Sequence, residues 1–91
     1  MRVLVVEDEV YLADAVLTGL RRAGLAVDAV NDGDAAIEKL SISDYDVAVL
    51  DRDIPGVHGD DVCRWIAQNR PECRVLMLTA ATTLRDTLDG L

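Results

Sequence analysis

Val3-Leu4-Val5-Val6 runs straight into Glu7-Asp8-Glu9, and further along Val47-Ala48-Val49-Leu50 runs straight into Asp51. Each is a short, unbroken apolar run rich in β-branched residues, the pattern of a strand buried on both faces. Strands of that kind belong to parallel sheets covered by helices, so these two stretches decide the fold class.

Working outward, the segments between them read as helices and strands in alternation. Leu12, Val16 and Leu20 repeat at i+4, with Ala13 and Leu17 widening the stripe, and Arg21, Arg22 and Gly24 close the helix. Ala26 to Val30 reads as a strand and Asn31-Asp32-Gly33 as a turn. Asp34 to Leu40 reads as a short helix turning Ala36, Ile37 and Leu40 inward. Beyond Asp51 lies a loop with Pro55, Gly56 and Gly59, then a helix opened by Asp60 or Asp61, carrying Val62, Trp65 and Ile66 and ended by Pro71. Arg74 to Leu78 is a fourth strand, and Thr82 or Thr83 starts a last helix. Strands alternating with helices in this way require a parallel sheet with right-handed crossovers.

Ninety-one residues make a single small domain, 51% hydrophobic and 3% aromatic. A formal charge of −8 argues against this segment gripping nucleic acid by itself. The apolar runs are too short to span a bilayer and no secretory pattern precedes the first strand, so no membrane partner and a cytoplasmic location are expected. Cys63 and Cys73 have neither CxxC nor zinc-ligand spacing and read as reduced thiols.

In an open α/β sheet, ligands bind outside the carboxyl ends of the strands. If the first and third strands are neighbours, Glu7, Asp8 and Asp51 meet there. Clustered carboxylates repel one another and raise one another's pKa values. A hard divalent cation relieves that repulsion, and Mg²⁺ favours a few carboxylates together with water and phosphate oxygens. The plainer alternative is a set of solvated loop acids. Thr79 closes the fourth strand on the same rim, where its hydroxyl and the Ala80 N–H can donate to a phosphoryl oxygen; by itself such a Thr is an ordinary cap.

Val3 to Glu9, Leu50-Asp51 followed by Pro55-Gly56 and Gly59, and Val75 to Ala80 together resemble the three signatures of two-component response-regulator receiver domains. The resemblance is strongest to the branch whose receivers precede a winged-helix DNA-binding domain. It implies a flavodoxin-like doubly wound sheet of order 2-1-3-4, with the family's fifth strand and helix missing, so that residues 1–91 form an incomplete receiver. It implies Asp51 as phosphoacceptor, Mg²⁺ held by Asp8, Asp51 and the Asp53 carbonyl, and Glu7 acting through water. Thr79, the Ala80 N–H and the Arg52 N–H would contact the phosphoryl group. The implied partners are a sensor histidine kinase, and DNA only through an output domain absent here.

Some residues depart from that pattern. Asp53 adds an acid beside the metal, and His58 takes a position often acidic or small in relatives; a surface His without a partner reads as inert. The family's Lys at the end of the fifth strand is absent. Asp51-Arg52-Asp53 has the DxD form of aspartyl-phosphate phosphatases, but it stands on the third strand and Pro55 follows where a Thr or Val is wanted. A receiver-like interaction module without phosphorylation is the other alternative. In the borrowed strand order Arg74 to Leu78 becomes an apolar edge, so self-association is expected.

Overall fold

The structure is a computed structural model that describes residues 1–51 and 54–78. The element order is β1 (Arg2–Val6), α1 (Val10–Arg22), β2 (Ala26–Val30), α2 (Gly33–Ile42), β3 (Val47–Asp51), α3 (Gly59–Asn69) and β4 (Arg74–Leu78). The strands form one sheet in the order β2-β1-β3-β4, and every pair is parallel. This is the flavodoxin-like order expected. β1 and β3 are neighbours, with Val6 level with Leu50, so their carboxyl ends lie side by side.

Alternation along the strands divides the interior into two layers. Val3, Val5 and Val27 face α1, where Val16, Leu17 and Leu20 pack on them. Leu4, Val6, Ala48 and Leu50 point the other way, into a larger core with Ala36 and Leu40 of α2 and Val62 and Ile66 of α3. β1, in the middle, is buried on both faces from Val3 to Val6. Its unbroken apolar run is the sequence record of that position.

The helix ends are set by local chemistry. Gly24, at φ +89°, turns the chain out of α1, while the Leu25 N–H donates to the Leu20 carbonyl and the Gly24 N–H to the Arg21 carbonyl. That is a Schellman stop, and glycine adopts its left-handed φ without steric cost. α2 starts at Gly33 rather than Asp34, because the Asp32 carboxylate accepts the Ala35 N–H at 2.7 Å. Its other end is capped from α3: the Arg70 guanidinium donates to the Leu40 and Ser41 carbonyls. α3 starts at Gly59, earlier than Asp60 or Asp61, and His58 holds the capping position without a side-chain bond. Asp61 instead pairs with Arg64 at 2.8 Å on the surface.

One packing expectation needs correction. Leu12 is 46% exposed, and the buried stripe of α1 runs through Ala13, Val16, Leu17 and Leu20. Ile37 faces inward as expected, packed half-buried at the margin of the core that encloses Ala36 and Leu40. The last helix expected from Thr82 or Thr83 lies outside the described residues.

At the amino end of the sheet a polar cluster ties three strands together. The Tyr45 hydroxyl donates to Asp28 at 2.6 Å, the Arg2 guanidinium reaches the same carboxylate and lies over the Tyr45 ring, and the Arg2 N–H donates to Asp46. The Tyr45 bond holds the Asp28 carboxyl below its usual range, while burial pushes the Tyr45 phenol up to about 12. On the outer side of β2, the Arg21 guanidinium occupies the Val27 carbonyl at 3.1 Å.

Candidate metal and phosphoacceptor centre

Glu7 and Asp8 follow directly on β1, and Asp51 is the last residue of β3. Because the strands are adjacent and parallel, their carboxylates converge at the carboxyl end of the sheet. One oxygen from each of Glu7, Asp8 and Asp51 lies within 4.8 Å of the others. Glu7 is buried at 8% exposure, Asp51 is half-buried and Asp8 is exposed, so the cluster grades from interior to solvent.

The Glu7 carboxyl is pushed up from 4.5 to about 7. Burial is the main cause, followed by the hydrogen bond and charge of Asp51 and then those of Asp8. Its oxygen also accepts the Asp8 N–H at 3.0 Å. Water has been withdrawn from an acid that faces two others, and a positive charge in their midst would relieve all three. The donors are hard carboxylate oxygens, with no thiol or imidazole among them, which is the set Mg²⁺ takes. The residues present fit the ion.

The backbone around the cluster is held by the β2–α2 turn. The Glu7 N–H donates to the Val30 carbonyl and the Asn31 side-chain amide donates to the Glu7 carbonyl, both at 3.0 Å. The Gly33 N–H donates to the Pro55 carbonyl at 3.1 Å, in the loop that follows Asp51. In the sequence, Asn31 and Gly33 read only as turn residues. The signal that reaches further is their place, since the carboxyl end of β2 shares the rim with those of β1 and β3.

Glu7, Asp8 and Asp51 are therefore brought together as expected from the sequence. Arg52, Asp53, Thr79 and Ala80 lie outside the described residues. His58, at the start of α3, is exposed. Cys73 is buried, and burial pushes its thiol up; Cys63 is half-buried. Among the described residues no helix is long and apolar enough to cross a membrane.

The family model described as response regulator receiver domain matches residues 3–91. The chain belongs to that family. It is 63% identical over 91 residues to the transcriptional regulatory protein CutR of Streptomyces coelicolor, covering all of this chain and 42% of CutR. It is 37% identical over 92 residues to the transcriptional regulatory protein QseB of Escherichia coli O157:H7, again covering 42% of that protein. The chain thus spans about two-fifths of the length of these curated relatives. Among solved structures it resembles the response regulator TrrA of Thermotoga maritima in complex with Mg²⁺-BeF, with a TM-score of 0.83 and 29% identity over 98% of this chain and 77% of that one. It also resembles a chain in the crystal structure of histidine kinase ThkA in complex with TrrA, with a TM-score of 0.80 and 30% identity over 87% of this chain and 68% of that one.

Proposed function

We propose that this receiver takes a phosphoryl group on Asp51 from a phosphohistidine of a sensor histidine kinase, and that the group switches a DNA-binding output domain in the whole protein. The observation that carries the reading is the convergence of Glu7, Asp8 and Asp51 within 4.8 Å at the ends of adjacent strands. The relatives named as transcriptional regulatory proteins, and the kinase complex of a similar regulator, support the partner and the output. Val10, Tyr11 and Leu12, exposed at the start of α1 immediately after Glu9, offer a protein phosphodonor an apolar surface beside the acids. The same reading places the protein in the cytoplasm as a phosphoacceptor signalling domain, whose only catalysis is its own phosphoryl transfer and autodephosphorylation.

In the transfer, an Asp51 carboxylate oxygen attacks phosphorus. The new O–P bond forms as the N–P bond breaks, and the imidazole nitrogen keeps the electron pair and takes up a proton. Asp8, Asp51 and the Asp53 carbonyl would hold Mg²⁺, with Glu7 acting through water. Bound there, the ion would neutralise charge on the phosphoryl oxygens. The N–H groups of Arg52 and Ala80 and the Thr79 hydroxyl would donate to those oxygens. Glu7, buried beneath the cluster, keeps a negative charge away from the incoming phosphate whenever it holds a proton.

Incubation with a phosphorylated histidine kinase or a small phosphodonor should put one base-labile phosphoryl group on Asp51. Asp51→Asn should abolish it, because an amide is a far poorer nucleophile. A label that survives this substitution overturns the assignment.

Self-association is part of the proposal too. Leu76 and Leu78 are 57% and 41% exposed on β4, which no other described strand flanks on its outer side. An apolar edge of this kind pairs readily with another chain.

A further inference from the structure

At the junction of β2 and α2, Asn31 and Asp32 link the two elements and Gly33 opens α2; the three contribute no carboxylate to the cluster yet touch both of its sides. On one side, the Asn31 amide donates to the Glu7 main-chain carbonyl at 3.0 Å, the carbonyl of the peptide that leads into Asp8. On the other, the Gly33 N–H donates to the Pro55 carbonyl at 3.1 Å. The described part of that loop includes Ile54, three residues beyond Asp51 in sequence and anchored in the core at 2% exposure.

The second contact exists only because residue 33 is glycine. A Cβ there would collide with the Val57 carbonyl oxygen and stand 2.8 Å from its carbonyl carbon and 2.9 Å from its Cβ. Backbone meets backbone, so no side-chain rotation relieves the clash. Gly56 makes the reciprocal approach: at φ +76° it lies against Asp34 of α2, where a Cβ would come 2.5 Å from the carboxylate. Gly33 therefore lets the loop after Asp51 lie flush on the first turn of α2, and Gly56 supplies the loop's left-handed turn.

We propose that Asn31 and Gly33 are positioning residues, which clamp the Glu7–Asp8 side and the Asp51 side of the carboxylate cluster at the separation that a divalent cation requires. The inference rests on the proposed function, since it concerns the same centre. Groups that orient metal ligands from behind contribute 10- to 100-fold in affinity, about what is at stake here. Asp32 holds the turn in register through its bond to the Ala35 N–H and does not itself reach the cluster.

The test is Mg²⁺ titration of the full chain, followed by amide NMR shifts and Trp65 fluorescence, with thermal unfolding measured in parallel. Asn31→Ala loses a single side-chain hydrogen bond and should weaken Mg²⁺ binding about 10-fold. Gly33→Ala should weaken it further. Gly24→Ala is the control: that glycine has positive φ and an open surrounding, so the substitution strains the backbone far from the cluster. It should lower the melting temperature and leave Mg²⁺ affinity unchanged. Asn31→Ala folded and binding Mg²⁺ as the unaltered chain does would overturn the inference, whether or not Gly33→Ala folds. So would a loss of affinity in Gly24→Ala equal to that in the clamp variants. An unaltered, folded chain that takes up no Mg²⁺ at millimolar concentration would overturn the proposed function itself, and the inference with it.

Discussion

At Glu7 a carboxyl group has lost most of its water and gained two acidic neighbours. Its folded value, about 7, stands above the ordinary 4.5, so between these values the folded protein holds a proton that the unfolded chain releases. The Glu7 contribution to stability is then full below pH 4.5, falls as pH rises through this window, and levels above pH 7. The loss is on the order of 3 kcal/mol. Urea midpoints of the metal-free protein should decline from pH 5 to pH 8, and Glu7→Gln should remove most of the decline. Saturating Mg²⁺ at pH 8 should restore stability by mass action. A midpoint that stays level in the unaltered protein contradicts this. The acids themselves were legible in the sequence, because hydrophobic strands that end in carboxylates have few other uses. The grading from buried Glu7 to exposed Asp8 was not, since it depends on how the β2–α2 turn closes over β1.

Among the elements, the two helix starts make a contrast that can be measured. Asp32 accepts the Ala35 N–H, whereas the His58 side chain makes no capping bond. Asp32→Ala should therefore cost about 1 kcal/mol in urea unfolding, and His58→Ala a few tenths at most. Equal losses would show that α2 does not depend on its cap. Strand limits were readable to within a residue, because apolar runs end where polar ones begin. Helix starts were less so. Asp60 and Asp61 look like caps, but they sit in the first turn, where acids favour the helix dipole, and buried Gly59 opens the helix before them. Leu12 fits the i+4 rhythm and is still exposed, since periodicity assigns a face but not how far the sheet extends beneath it.

For the whole molecule, the two rims of the sheet differ. The carboxylates gather at one end, while Arg2, Tyr45, Asp28 and Asp46 lock the other. The strand order came from resemblance rather than from periodicity, because nothing in a single parallel strand names its neighbours. The lateral edges differ as well. Light scattering after size exclusion, at tens of micromolar protein, should show association through the side of β4, where Leu76 and Leu78 lie exposed. A strictly monomeric species with cooperative unfolding would count against it.

How far such association runs depends on the opposite edge. Val30 and Ala26 spend their main-chain bonds on the β1 side, so the alternate residues Val27 and Ala29 aim outward, and Arg21 already fills the Val27 carbonyl. Among the described residues, no strand flanks β4 on its outer side, while on β2 an outward carbonyl is already taken. Two copies joined β4 to β4 about a twofold axis would present only β2 flanks to a third, each with its Val27 carbonyl already taken, which favours a closed pair over a fibre. A single guanidinium on the far side of the sheet would then act as the terminator of a polymer, and Arg21→Ala should shift the scattering from dimer toward larger, concentration-dependent species.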